Sequence, residues 1–280
     1  MYQPSLLESL PPWLPDALAL LARHRFLSAR QLAGALKESP EAVTSACAAL
    51  VAEGALRELR QSTLAGRDGA SPAYAPTALG LSRIAVDPAG LRPRATRSLR
   101  SAFSVAHELL VNEVALVLEV LDRAGILSLL SWTTARERIG DVAHIAERGR
   151  AVRVPLVADG LAIIEVHGIR HALLVEVDLG TVAVKTMQRK YKGYASWWAD
   201  GGHVRRLGLP ATRVLTVAPA PRRLERLREA AIEGLDGRGS GLLWFLPHAA
   251  VDIAAPERLL APLATVAKAG EDQPRGLFPP

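Results

Sequence analysis

A single cysteine, Cys47, is all the thiol chemistry in the 280 residues of this chain. One thiol closes no internal disulfide and cannot build a structural zinc cluster, so the chain suits a reducing compartment, the cytoplasm. No window of about eighteen apolar residues runs without a charge, which removes any evident membrane span. The opening stretch, MYQPSLLESLPPWLPD, lacks a basic region and carries Glu8, so it makes a poor secretion signal. Glycine-rich phosphate loops, HExxH pairs and nucleophile elbows are also missing. Gly-Arg-Gly-Ser-Gly at 237–241 has no strand–loop–helix context around it. What is present is length for one to three domains and a formal charge of +6, which favours an anionic partner. Arginine greatly outnumbers lysine in an Ala/Leu/Arg-rich composition, so the charge alone points only weakly to nucleic acid.

The first third of the chain predicts three helices in quick succession. Asp16 is placed to cap the first, which runs to about His24 with Leu18, Leu21 and Ala22 on one face. Ser28 caps the second, and Gln31 three residues later completes a capping box. Ser39-Pro40-Glu41 opens the third, which ends at Gly54. The break at Lys37-Glu38-Ser39 has the length of the turn in a helix-turn-helix. Two short extended pieces around a Gly/Asp/Ser loop follow, then a helix from Thr77. Residues 14–86 are therefore expected to form a winged helix-turn-helix that binds duplex DNA. The third helix offers Thr44 and Ser45 but no arginine or asparagine for bidentate base contacts. The cations lie around it, at Arg30, Lys37, Arg57, Arg60 and Arg67, an arrangement suited to phosphates. A dimerisation or docking module is the alternative use of the same fold.

Residues 87–101 form a basic linker carrying Arg92, Arg94, Arg97 and Arg100. A second domain is expected over 102–255 and a C-terminal tail over 256–280. The domain opens with a helix over 102–123, followed by a strand at 126–132, and residues 136–153 are charged enough to suggest a loop. Strands are expected at 154–165 and 171–177 with Gly168 in the turn between them, and again at 213–217 and 241–246. Helices at 185–199 and 221–232 alternate with these, which predicts a mixed α/β sheet with helices on its faces and an α+β class for the whole chain.

The strands at 154–165 and 171–177 carry Asp159, Glu176 and Asp178 at or near their ends. Buried carboxylates need partners, because desolvation costs several kcal/mol. Acids converging beside a helix that bears Lys185, Lys190 and Lys192 suit a phosphodiester site. Asp159, Glu176 and Asp178 would then hold Mg²⁺ or Mn²⁺ while a lysine neutralises phosphate. The plainer alternative is that Asp159 caps a turn with Gly160 and Asp178 opens the Leu179-Gly180 turn. The aromatics Tyr191, Tyr194, Trp197 and Trp198 have the spacing of packing residues.

A winged helix, a helix beginning His107-Glu108-Leu-Leu-Val-Asn112-Glu113, an Asp-Gly strand, the run Glu176-Val-Asp178-Leu-Gly180-Thr181 and Lys190-Tyr191-x-x-Tyr194 together resemble the replication-relaxation proteins of bacterial plasmids and integrated mobile elements. The resemblance implies a second domain similar to the PD-(D/E)XK nuclease fold. Asp159 and Glu176 take the places of its two motif acids, and Glu108 or Glu113 that of an acid on the first helix. This chain departs from the motif in two places. Asp178 stands where the lysine belongs, and the proline is displaced to Pro155, so Lys185 or Lys190 would have to supply the cation. The departure weighs against cleavage. The leading expectation is a homodimeric DNA-binding protein of a mobile element, acting in replication control or transcriptional regulation beside other proteins of that element. A metal-dependent endonuclease using Asp159, Glu176, Asp178 and Lys190 is the second expectation, and a protein-binding adaptor the third.

Overall fold

A computed structural model describes residues 11–59, 71–82, 102–135, 140–147 and 149–278. Arg60, Arg67 and the basic linker at 87–101 lie outside the described residues. The chain is α+β and divides into two compact units, residues 1–112 and 113–280. Among the described residues no helix is long and apolar enough to cross a membrane.

The first unit holds α1 (Leu14–His24), β1 (Leu27–Ser28), α2 (Ala29–Leu36), α3 (Pro40–Ala52), β2 (Leu56–Leu59), β3 (Ala73–Pro76), α4 (Ala78–Ser82) and the first half of α5 (Ala102–Arg123). Asp16 does not cap α1. Trp13 occupies that position, and Asp16 sits in the first turn, where its charge faces the positive end of the helix dipole. The capping box of α2 is complete: Gln31 N–H donates to Ser28 Oγ at 3.2 Å and Ser28 N–H to Gln31 Oε1 at 3.0 Å. Lys37, in the left-handed conformation at φ 60°, stops α2, and Ser39 caps α3 with Pro40 at its start. A three-stranded antiparallel sheet of order β1-β3-β2 closes the unit.

The start of α5 belongs to this unit through buried polar contacts. Asn112 Nδ2 donates to the carbonyls of Phe26 (2.9 Å) and His24 (3.2 Å), and Gln31 Nε2 donates to Leu109 O at 2.7 Å. Arg25 pairs with Glu108 at 3.2 Å. Val105 and Leu109 pack on Phe26, Ala73 and Ala75.

The second unit is built on a six-stranded mixed sheet of order β11-β10-β9-β8-β7-β4. Its strands are β4 (Ser128–Thr134), β7 (Gly160–Val166), β8 (Ile169–Val177), β9 (Thr212–Ala218), β10 (Gly239–Pro247) and β11 (Thr265–Lys268). β4, β7 and β8 form an antiparallel meander, closed between β7 and β8 by His167 and Gly168, both left-handed at φ 52° and 74°. The chain then crosses over through α6 (Val184–Ala199) and α7 (Gly202–Leu207), so that β9 lies parallel to β8. A second crossover through α8 (Pro221–Gly234) sets β10 parallel to β9. Residues 256–280, expected as a tail, contribute β11 to the sheet edge.

Two strand expectations are corrected. Within the expected loop at 136–153, residues 140–147 and 150–153 are strand, and residues 154–165 are not one strand. β5 (Gly140–Glu147) and β6 (Arg150–Val157) form a separate hairpin, and the chain breaks at Ala158-Asp159 before β7 begins. One face of the hairpin, with Ala143, Ile145, Val154 and Leu156, is buried against Tyr191, Tyr194 and Trp197 of α6, while His144, Ala146, Ala151, Arg153, Pro155 and Val157 are exposed on the other. Gly193 permits the close approach: a Cβ there would stand 2.9 Å from both Val154 Cγ1 and Leu156 Cδ2.

Candidate functional site

Side chains at even positions of β8 face α6 and α8, so Ala172 and Leu174 join the core while Glu176, on the same face, brings a carboxylate into it. β8 lies between β7 and β9, so water reaches this carboxylate poorly, and its side chain is only 3% exposed. Three residues answer it. Lys190 Nζ donates to Glu176 Oε2 at 2.6 Å and to Val157 O at 2.8 Å. One helical turn on, the Tyr194 hydroxyl donates to Glu176 Oε1 at 2.5 Å. Lys190 and Tyr194 stand at i and i+4, the spacing that puts two side chains over one spot. Asp159 stands at the entry to β7, where its N–H donates to Val175 O at 2.9 Å and its Oδ2 accepts the Val177 N–H at 2.8 Å.

Burial pushes the Glu176 carboxyl up from 4.5 to about 7; Lys190 and Tyr194 oppose the rise and the Asp159 charge adds to it. The Tyr194 hydroxyl is held well above its ordinary value of 10 by burial and by the same carboxylate. At neutral pH Glu176 is thus poised between its protonated and ionised forms, inside a closed set of donors.

Asp178 turns to a different cation. Arg223, in the first turn of α8, donates from Nε to Oδ1 and from Nη2 to Oδ2, both at 2.9 Å, and also reaches Val182 O. The Gly180 N–H donates to Asp178 Oδ1 at 2.7 Å, which is the expected turn at Leu179-Gly180. The structure therefore gathers Asp159, Glu176 and Lys190 and leaves Asp178 outside the group. Lys185 does not join it and lines a groove on the far side of α6. Glu108 is engaged by Arg25, and Glu113, fully buried, accepts the Ile253 N–H at 2.9 Å.

The donor set does not fit a divalent metal in this arrangement. Among the described residues no three His, Cys, Asp or Glu side chains gather at one point. Glu176 has both oxygens accepting hydrogen bonds and Asp178 is held by a bidentate guanidinium. A hard cation needs several carboxylate or carbonyl oxygens facing one centre.

Three side-chain contacts were missed from sequence. Arg223 lay in what looked like an ordinary basic helix; the signal was positional, since β8 and β9 are parallel and α8 begins just beyond the same ends where Asp178 emerges. Tyr194 carried packing spacing but uses its hydroxyl on Glu176, and Tyr191 likewise meets Thr216 Oγ1 at 3.1 Å.

In the first unit, Lys37, Ser45 and Arg57 are exposed and Arg30 is half-buried. The Thr44 hydroxyl donates back to Pro40 O at 2.7 Å within α3. The outward residues of α3 are Glu41 in its first turn and the small Ala42, Ser45, Ala48, Ala49 and Ala52.

Neither the curated proteins nor the solved structures compared with this chain gave a match. The sequence model of one family, described as replication-relaxation, matches residues 18–212, a span covering α2, α3, the meander and α6. The chain belongs to the replication-relaxation family.

Proposed function

We propose that this protein binds duplex DNA in the replication of a plasmid or other mobile element. In this reading its first unit is a winged helix-turn-helix and its second a PD-(D/E)XK-like fold with little or no cleavage. The observation that carries the reading is the succession α2, a three-residue turn, α3 and the antiparallel β2–β3 ribbon. In that succession α3 lies in the major groove and the ribbon contacts backbone. The alanine and serine face of α3 lets the helix approach closely while offering little base readout, so Lys37 and Arg57 beside it supply phosphate contacts. A homodimer on two half-sites is the matching assembly.

The order α5, β4, β7, β8, α6, β9 supports the nuclease-like part of the proposal, with the β5–β6 hairpin as an insertion. An endonuclease is the second reading, favoured by one contact: Lys190 arrives from α6 at the carboxylate of Glu176, as a displaced motif lysine would. The closed donor set weighs against it. Freeing Glu176 for another ligand means separating a buried ion pair, which costs about 3–5 kcal/mol. Incubation of the full chain with supercoiled DNA in Mg²⁺ or Mn²⁺, beside Asp159→Ala and Glu176→Ala, decides between the two. The proposal expects a mobility shift with no nicking by any of the three. Nicking by the parent that both variants lose would establish the endonuclease instead.

A further inference from the structure

The β5–β6 hairpin and the first half of α6 border an open groove of ≈ 1110 Å³, remote in role from the Glu176 cluster. Arg150 lines it from the start of β6, and Lys185, Arg189 and Lys192 line it from α6. The three helix residues fall at i, i+4 and i+7, one face of a helix. Like charges at that spacing repel by a few tenths of a kcal/mol per pair, so the fold gains nothing from placing them together. The one carboxylate in the lining is Glu147, which meets Arg189 at 3.0 Å across a solvent-exposed pair. The positive end of α6 opens into the same groove at Ala183, with no side chain capping it. No aromatic side chain lines the groove, and Val152 is its one large apolar residue.

We propose that this groove is a second DNA-contacting surface, which takes the phosphate backbone of a duplex. A cationic lining without a stacking platform suits double-stranded rather than single-stranded nucleic acid, whose bases would be exposed and would need aromatic partners. The near absence of apolar lining argues against a hydrophobic peptide. The surface belongs to the second unit and draws on residues other than those of α3 and the β2–β3 ribbon, adding phosphate contacts without sequence selectivity. The proposal rests on the reading of the chain as a DNA-binding protein.

The test is the salt dependence of duplex binding by the full chain, followed by fluorescence anisotropy. It compares the parent with Arg150→Ala, with the triple change Lys185→Ala, Arg189→Ala, Lys192→Ala, and with Arg57→Ala. Each lost phosphate contact lowers the slope of log affinity against log salt by about 0.9. Arg150→Ala is expected to lower it by about one such step and the triple variant by two to three, on unrelated sequences alike. Arg150 is exposed at the first position of β6, so its removal does not endanger folding. Parent-like slopes in both groove variants, with a reduced slope in Arg57→Ala, would overturn the groove and leave the first-unit reading standing. A parent that shows no salt-dependent binding overturns both. Tighter binding to single strands than to duplex, lost in the triple variant, would overturn the duplex assignment.

Discussion

Neutralising Glu176 tests the energetics of the polar cluster. Its carboxyl is buried beneath α6 and titrates at about 7 instead of 4.5. The folded state therefore holds this proton more tightly than the unfolded chain does. Between those two values the native protein binds more protons than the denatured one, so stability falls as pH rises. The loss begins near 4.5 and is complete just above 7. At 1.36 kcal/mol per unit, the displacement amounts to roughly 3 kcal/mol. Glu176→Gln keeps the shape and an oxygen acceptor for Tyr194 or Lys190 but removes the titration. Lys190, 22% exposed and still bonded to Val157 O, tolerates the loss of its counter-ion better than Glu176 tolerates burial. Urea unfolding of both proteins, followed by tryptophan emission across that pH range, is the assay. Four of the five tryptophans, Trp132, Trp197, Trp198 and Trp244, report on the second unit. Other carboxylates titrate in both proteins and cancel in the difference. The variant should gain on the parent by roughly 3 kcal/mol between about pH 4.5 and pH 8. Parallel profiles would refute the reasoning, because they would mean that Lys190 and Tyr194 fully offset the burial.

Removing Arg223 should be costly, since the Asp178 side chain is 1% exposed and would be left charged without its bidentate partner. Arg223→Ala is expected to lose about 3–5 kcal/mol in urea unfolding, with partial recovery in the double variant that adds Asp178→Asn. A loss below about 1 kcal/mol would show that water solvates Asp178 freely. Gly160→Ala should cost about 1–3 kcal/mol by thermal unfolding, because the new methyl would stand 2.4 Å from the Trp132 ring. An unchanged midpoint would mean that the indole swings clear. Light scattering at micromolar concentration should give the mass of a dimer. Residues 114–118 of α5 and Leu259, though apolar, are buried within the chain and do not supply its surface. A monomer both with and without DNA would rule out paired half-sites.

Most self-contained local chemistry was legible in the sequence, the Asp16 cap of α1 excepted. The Ser28–Gln31 box, the Pro40 start of α3 and the bounds of α5 follow from caps and periodicity that no tertiary contact overrides. The β5–β6 hairpin was illegible because Asp141, Glu147 and Arg150 share the face of its four buried residues, so charges interrupt the alternation that would announce the strands. Val154 and Leu156 continue in hydrophobicity into β7, so the break at Asp159 looked like an interruption within one strand. β11 is short and pairs with a strand far back in sequence, with no turn signal to announce it. In the cluster, Asp159, Glu176 and Lys190 were nameable as acids and a cation of one motif. The partition of Asp178 to Arg223 was not, since it depends on which strands are parallel.

Salt-dependent binding of the full chain to short duplexes of unrelated sequence tests the central claim most directly, with Arg57→Ala, Arg60→Ala beside the parent. The account predicts that parent affinity falls steeply between about 50 and 200 mM salt. It also predicts that the double variant binds every duplex more weakly by a similar factor and with a shallower slope. Binding that ignores salt, or a loss confined to one sequence, would contradict it.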